Sequence, residues 1–478
     1  MVTPEASDPE ENARLRAYPL LQALLNRRSR RFGAGMIMPA GPLAYQSRFP
    51  PVPLTGNEES FLAFAAAGIT GYAMADLCYA PGEGGNIMSG LVGRTIASGD
   101  GIQSVSIAVT NDQGTWLVRR PRELPSGEIP DLIAMAREGR WLDAYQRLRV
   151  ELKSSRSAPP IDPLYNLNVN RWAAHAPGGT VFIPINDLTL LYLNGLLDVL
   201  NESTGAFLVD ERAGFRPAGL ARFARSRGGH LEDNPARGRI ATIRHVEAMV
   251  AEFAAVEQGM MMQNLALACE ALGLGGHPNF ANHESAWFEA LGFRMGTLPA
   301  SRYLAMGRLV GTLVRWLGRD TPVSWPLGLD HLGQPLLQPF CPPSYPSMRQ
   351  AVEAVVALKS GPGGSFDPHS PRNAWQNPAQ VGRSIPPISE AAIEATVAYA
   401  DYILQRYGRF PAFLAPYRTV TAFQAVHLDA EFYDCFYHPE ALGETQRADF
   451  ARWQAATPPL RPLTPAHPAA APSDPRSK

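Results

Sequence analysis

The stretch LLNRRSRRFGAG holds a compact set of side chains that suit an anionic group. Arg27, Arg28 and Arg31 supply guanidinium forks that match the oxygens of a phosphate, and Ser29 adds a hydroxyl donor. A second interpretation is structural, because basic residues at the end of a helix are stabilised by the helix dipole and by water. Taken alone, the cluster favours a solvated helix end, so the rest of the chain must decide its function.

A second group of polar residues lies near the C-terminus, in QAVHLDAEFYDCFYH. His427 and Glu431 are four residues apart, and a helix would place them on one face as half of a divalent metal site. No second His/Glu pair at metal spacing accompanies them, so a metal-dependent hydrolase is the weaker hypothesis. The favoured one is a structural network in which buried His and Asp residues satisfy one another. Arg409, in YGRFPAF, is interpreted as packing, with a role in a substrate pocket as the alternative.

Hydrophobic periodicity predicts the elements that would position these groups. An amphipathic helix is predicted over Ala17–Arg31, and the alternation in IQSVSIAVTNDQGTWLVRR predicts a hairpin that turns at NDQG. The stretch GTVFIPINDLTLLYLNGLLDVLN predicts a strand that feeds a helix. The longest helix is predicted from Ile243 to the glycines at 273–276, about 45 Å in length. Because this helix is apolar nearly all round, other elements or another subunit must cover it.

Composition excludes several functional classes. Hydrophobic residues make up 45% of the 478 residues and charged residues 18%, which favours a large buried area, including one shared between subunits. The net charge of -1 gives no sign of a nucleic-acid or anionic-membrane partner. The cysteines are too scattered for a zinc knuckle or a disulfide framework. The N-terminus lacks an apolar signal core and no long apolar run occurs, so a cytoplasmic location is expected.

Three features occur together along the chain: an Arg-Arg-Ser-x-Arg cluster on the first predicted helix, SGDGIQ before a predicted strand, and QNLALACEALGLGG on the long helix. In this combination the chain resembles the flavin-dependent nitroreductase-like family, over roughly Tyr18 to Gly311. The resemblance implies an α+β fold in which helices sandwich an antiparallel-dominated sheet. It also implies FMN as cofactor, NAD(P)H as an electron donor and a homodimer whose spine is the long helix. The twin subunit and the flavin would then cover the apolar helix.

The resemblance implies three groups of cofactor-binding residues. The group that would hold the phosphate is the basic cluster: Arg27, Arg28, Ser29 and Arg31. The group that would contact the flavin ring lies before the hairpin: Ser98 and Gln103. The group whose backbone would pass near the isoalloxazine ends the long helix: Gly273, Gly275 and Gly276. Gly101 stands where the family often has an asparagine. Since the flavin does the chemistry, no acid/base pair is expected from the protein.

These observations predict an FMN-dependent oxidoreductase that passes hydride or electrons from NAD(P)H to a small organic substrate. The expected organisation is a nitroreductase-like domain over 15–311 with an insertion at about 122–239, followed by a helical C-terminal extension over 312–456. Residues 1–14 and 457–478 are expected to be disordered. The alternative function is a non-catalytic dimeric scaffold or binding protein that keeps the spine and has lost FMN. The missing asparagine and the lack of a recognisable basic C-terminal strand favour that alternative.

Overall fold

The computed structural model describes residues 8–75, 89–161, 168–279, 284–367, 369–370 and 373–460. Most of the glycine-dense loop at 80–90 and of the expected disordered tail lies outside these residues, as do residues 1–7. Within these ranges, none of the helices combines the length and the apolarity that crossing a membrane requires.

The described chain forms helices and strands in a mixed order. The helices are α1 Pro9–Ala17, α2 Leu20–Asn26, α3 Gly56–Ala67, α4 Ile129–Glu138, α5 Trp141–Leu148, α6 Leu188–Val199, α7 Ile243–Leu272, α8 Glu284–Leu291, α9 Ala300–Tyr303, α10 Arg308–Trp316, α11 Met348–Ser360, α12 Pro378–Ser384, α13 Glu390–Tyr407, α14 Ala430–Phe436 and α15 Glu444–Ala456. The strands are β1 Ile37–Met38, β2 Tyr45–Gln46, β3 Ile69–Tyr72, β4 Val92–Arg94, β5 Val105–Asn111, β6 Gly114–Val118, β7 Arg149–Lys153, β8 Thr180–Asp187, β9 Phe207–Asp210, β10 Arg216–Pro217, β11 Ile240–Thr242, β12 Gly275–Asn279, β13 Arg294–Pro299, β14 Pro322–His331, β15 Gln334–Leu337, β16 Tyr417–Arg418 and β17 Ala422–Val426.

A seven-stranded antiparallel sheet lies at the centre of the described residues, in the order β12-β17-β8-β5-β6-β7, with β16 beside β8. Ile107 and Val109 of β5 enter the core on one face of this sheet, and Ala108 enters the core on the other. This alternation follows from the two-residue repeat of a strand. All eight residues of β8 are buried, so both faces of the sheet are covered.

The layers around the sheet make the fold α+β, as the sequence predicts. Helices α3 and α7 pack on one face, whereas α8 and the small sheet β13-β14-β15 cover the other. A further core joins α6, α11 and α13 to the N-terminal half of α7. The long helix α7 therefore contributes to two of the hydrophobic cores.

Two segments that sequence analysis sets apart contribute strands to the main sheet. Strand β8 comes from the expected insertion at 122–239 and lies between β5 and β17, and β17 comes from the expected C-terminal extension. Phe182 of β8 is opposite Phe423 of β17. The insertion and the extension are therefore parts of the central sheet and not additions to it. The sequence does not reveal this, because pairing between such distant strands leaves no periodic signal.

Predictions of local structure agree with the observed elements where the hydrophobic residues repeat with a clear period. The long helix is α7, and Gly273 caps it with a φ of +87°. The hairpin is β5–β6. The first predicted helix is shorter than expected, because α2 ends at Asn26, and a separate helix begins already at Pro9. Helices α4 and α5 are separated at Gly139, whose φ is +79°, and strand β7 follows α5 directly.

Substitution of Gly273 tests the packing at the end of α7. A Cβ at Gly273 would lie 2.5 Å from the carbonyl oxygen of Thr445 and 2.7 Å from Cβ of Asp449. We expect Gly273→Ala to lower the free energy of unfolding, measured by urea denaturation, by about 3 kcal/mol or more. Gly408→Ala is the matched control, because Gly408 caps α13 at a φ of +71° with open space around it. It should cost only about 1–2 kcal/mol. Equal losses of unfolding free energy in the two variants would contradict the close packing around Gly273.

Candidate functional site

The basic cluster after α2 is divided between the surface and the interior. Arg27, Arg28 and Ser29 are exposed. The backbone N–H of Arg28 donates to Oε1 of Glu270 at 3.0 Å, which fixes this segment beside the C-terminal end of α7. Three of the four residues predicted to hold a phosphate therefore share one exposed segment.

Arg30 and Arg31 have different surroundings from these three residues. Arg30 is buried and pairs with Glu270 at 2.7 Å, and its Nε donates to the carbonyl of Ala441 at 2.7 Å. Arg31 is half-buried; its guanidinium lies 5.0 Å from the ring of Trp172, and Nη2 donates to Asn170 at 2.9 Å. Burial lowers the pKa of Arg31. Arg31 is thus held within the protein, and Arg30, which sequence analysis did not select, anchors the cluster.

The glycines at the end of α7 lie next to this anchor. A Cβ at Gly275 would meet a methyl of Leu428 at 2.3 Å and the carbonyl oxygen of Arg30 at 2.8 Å. A Cβ at Gly276 would meet the ring of Phe423 at 2.6 Å. Gly275 and Gly276 therefore allow β12 to pack closely against its neighbours, and the space beside both is filled by the chain itself.

Ser98 and Gln103 lie in a separate loop that closes around Asp100. The hydroxyl of Ser98 and the backbone N–H of Ile102 both donate to Oδ1 of Asp100 at 3.0 Å. Gly101 adopts a φ of +72°, in the left-handed region that glycine enters without steric cost. Gln103 has a φ of +55°, an uncommon conformation for a residue with a side chain, and such strain is frequent at functional sites.

The two groups of predicted residues lie at different positions along α7. Ser104, next to Gln103, donates to Glu257 at 3.2 Å, whereas Arg28 contacts Glu270. These glutamates are thirteen positions apart, which corresponds to about 20 Å of helix. The structure therefore brings the basic cluster together with the glycines in one region, and Ser98 together with Gln103 in another.

Gln103 lines a cavity of about 400 Å³ that contains three arginines. Arg94 comes from β4, and Arg120 and Arg122 follow β6. The opposite wall is made by α11 and by the loop at 362–365. Among the described residues, no carboxylate lines the cavity. Sequence analysis missed this site because its two walls are more than 200 residues apart.

The arginines of the cavity differ in how well their charges are matched. Arg120 pairs with Glu123 and lies 3.5 Å from Oδ2 of Asp187, and Nη2 of Arg122 lies 3.0 Å from the same oxygen. Burial, and then the nearby Arg120, lower the pKa of Arg122. Burial also lowers the pKa of Arg94 to about 10. The lining is therefore cationic, with two guanidinium groups sharing one carboxylate oxygen.

His427 belongs to a buried ion-pair network, and Glu431 does not. Nδ1 of His427 is 2.9 Å from Asp449 and Nε2 is 3.2 Å from Glu58. Arg452 donates to Glu58 at 2.7 Å and to Asp449 at 2.6 Å. Glu431 instead pairs with an arginine of the N-terminal region. Glu58, His427 and Asp449 could geometrically hold a metal ion, but the guanidinium and the imidazole already satisfy both carboxylates. The structural network is therefore the interpretation that the geometry supports.

Arg409, like His427, has a structural role in the interior of the protein. Its guanidinium lies 3.6 Å from the ring centroid of Tyr303, and Nη2 donates to the carbonyl oxygens of Tyr303 and Ala412. Arg409 is buried. It stabilises the loop that follows α13 through the carbonyl oxygens of Ala412 and Leu414.

Replacing His427 tests the network and its pH dependence. Burial alone would lower the pKa of His427, but Glu58 and Asp449 raise it from 6.5 to about 10. A raised pKa means that the stabilisation is complete below pH 6.5 and is lost as the pH rises through about 10. We expect His427→Gln to cost ~3–5 kcal/mol of unfolding free energy at pH 6. The difference from the wild type should shrink toward pH 10.

Urea denaturation across this pH range measures the effect. His438→Gln is the matched control, since His438 is exposed, and it should change stability little at any pH. A His427→Gln deficit that stays constant from pH 6 to pH 10 would contradict a charged imidazole in the network.

Apolar side chains remain uncovered on α2, which precedes the basic cluster, and on α7 between residues 249 and 260. On α2, Leu20, Leu21, Leu24 and Leu25 are between 49% and 66% exposed. On α7, Met249, Val256 and Met260 are between 38% and 49% exposed. The spacing of seven and four residues places the three α7 side chains on one face of the helix. The long helix is thus buried on one side and open on the other.

Comparison with known proteins gives only distant structural similarity. No family model and no curated protein match the chain. Among solved structures, a Ralstonia eutropha protein described as a "putative nitroreductase" is 14% identical, over 58% of this chain and 77% of that one, with a TM-score of 0.28. At that TM-score the similarity is too remote to assign a family or a function.

Proposed function

We propose that the chain is an FMN-dependent oxidoreductase that works as a homodimer and passes electrons from NAD(P)H to a small organic substrate. The observation that carries the proposal is the location of Arg27, Arg28 and Ser29. These exposed donors directly follow α2, whose leucine face is uncovered. A second copy that packs against that face would also cover these donors and exclude water from them.

The residues present fit the two ends of the cofactor. Guanidinium groups and a serine hydroxyl suit the oxygens of a phosphate. In the other group, Oε1 of Gln103 is buried and has no hydrogen-bond partner among the described residues. It is an acceptor that the N–H of a flavin ring could satisfy. When bound, FMN would supply hydride and electron transfer, and the protein would bind and orient it.

The separation of the two groups supports a dimeric site. Along α7 the residues to which the two groups attach, Glu270 and Glu257, are about 20 Å apart in one copy, a separation longer than a five-carbon ribityl chain. We therefore infer that the phosphate is held by Arg27, Arg28 and Ser29 of one copy and the ring by Gln103 of its partner. The uncovered faces of α2 and α7 would form the contact between the copies.

Removal of the exposed guanidinium groups tests flavin binding. Purified protein is reconstituted with FMN, and the affinity is measured from the change in flavin fluorescence. The double variant Arg27→Ala/Arg28→Ala should weaken binding by about 100-fold or more, because two charge-assisted hydrogen bonds are lost. The control Arg315→Ala/Arg319→Ala removes the same charge from exposed positions elsewhere and should bind FMN like the wild type. A dimer that FMN cannot reconstitute would favour the non-catalytic scaffold instead.

A charge on the open face of α7 tests the dimer. Val256→Lys would place two like charges at a symmetric contact, so we expect the dimer dissociation constant from analytical ultracentrifugation to rise at least about tenfold. Leu332→Lys is the control, since Leu332 is 89% exposed in the turn between β14 and β15. A monomeric wild type, or an unchanged dissociation constant in Val256→Lys, would remove this contact from the proposal.

A further inference from the structure

We infer that the arginine-lined cavity beside Gln103 binds a small organic carboxylate with an apolar body. The binding itself does not depend on flavin. Only the assignment of that acid as the substrate rests on the proposed function, because Gln103 both lines the cavity and belongs to the group proposed to contact the flavin ring.

The charge distribution of the cavity calls for an anion. Arg120 and Arg122 share Oδ2 of Asp187, and Arg120 has a second partner in Glu123. Nη1 of Arg122 is without a hydrogen-bond partner in the part of the chain that the structure describes. About 20% of the Arg122 side chain remains exposed, and Arg122 lines the cavity. A carboxylate that enters would supply the acceptor that Arg122 lacks and offset the repulsion between the two guanidinium groups.

The charge and the walls of the cavity define the class of ligand. Three guanidinium groups, of Arg94, Arg120 and Arg122, lie beside two carboxylates, of Glu123 and Asp187, within salt-bridge distance among the described residues. The one positive charge in excess fits a singly charged carboxylate better than a doubly charged phosphate. The remaining lining is largely aliphatic and includes Leu91, Ile102, Leu190 and Leu358. A cavity of about 400 Å³ lies within the range of small-molecule sites. The geometry therefore fits an acid whose head contacts Arg122 and whose apolar body rests against α6 and α11.

The position of Arg122 is fixed by the protein before any ligand binds. Its guanidinium lies 5.5 Å from the ring centroid of Phe340 and donates to Asp187. Asp187 is itself held as the N-cap of α6, where Oδ1 accepts from the backbone N–H of Leu190 at 3.1 Å. An acid would thus meet a preorganised donor, which reduces the entropy lost on binding.

Calorimetric titration of the flavin-free protein tests the inference, with phenylacetate as the probe and phenylacetamide as its uncharged counterpart. Phenylacetate should bind saturably and the amide at least about tenfold more weakly, because only the acid offers a charge to Arg122. Arg122→Gln should weaken phenylacetate binding about tenfold or more and leave the amide unaffected. Arg119→Gln is the matched control: Arg119 is three positions earlier and lines a different cavity, so binding should be unchanged.

A second variant avoids the buried ion pair. Ala357 lies on the opposite wall, and Ala357→Phe should block phenylacetate without disturbing Asp187. The inference is overturned if the wild type binds no phenylacetate, if acid and amide bind equally, or if Arg122→Gln and Ala357→Phe both bind like the wild type. A protein that binds phenylacetate but not FMN would lose the proposed function and keep this inference. One that binds FMN but not phenylacetate would lose only the inference.

Discussion

The burial of one side of α7 in two successive hydrophobic cores constrains the segments that pack around this helix. Three of its carboxylates are buried as well: Glu247, Glu257 and Glu270. A buried carboxylate must be satisfied by donors, and each of these draws a distant segment against the helix. Glu247 accepts from the backbone N–H groups of residues 412–414, Glu257 accepts from Ser104 and Asn186, and Glu270 pairs with Arg30. Burial raises the pKa of Glu247 and of Glu257 to about 7.

This arrangement explains why the residues that could hold a cofactor lie in two separate regions along α7. The loop at 98–103 reaches α7 through Ser104 and Glu257, and the basic cluster reaches it through Arg28 and Glu270. A rigid helix keeps these attachment points apart, so the two groups cannot converge within one copy. The uncovered side chains of α7 lie around and before Glu257, at the end of the helix where the loop at 98–103 attaches, and those of α2 lie beside the basic cluster. A partner that covers both faces could therefore connect the two sites.

Local structure could be predicted from the sequence and long-range contacts could not. The extent of α7 and the β5–β6 hairpin follow from periodicity and capping, which act over a few residues. The partners of His427, the burial of Arg30 and not Arg31, and the insertion of β8 between β5 and β17 depend on segments far apart in the chain. The arginine-lined cavity also depends on long-range contacts, because α11, which forms one of its walls, lies more than 200 residues later in the chain than the arginines. A pattern of arginines in sequence does not reveal which guanidinium group lacks a partner.

The charge of the cavity is a property of the fold and not of a mobile side chain. Oδ1 of Asp187 accepts from the backbone of Leu190 and from the hydroxyl of Thr189, so its carboxylate cannot turn toward the arginines without uncapping α6. Only Oδ2 remains for Arg120 and Arg122. An uncapped helix would cost about 1 kcal/mol, and a buried, unsatisfied backbone N–H would add to that cost. The fold therefore holds Asp187 as a cap, and Nη1 of Arg122 is left without an acceptor among the described residues.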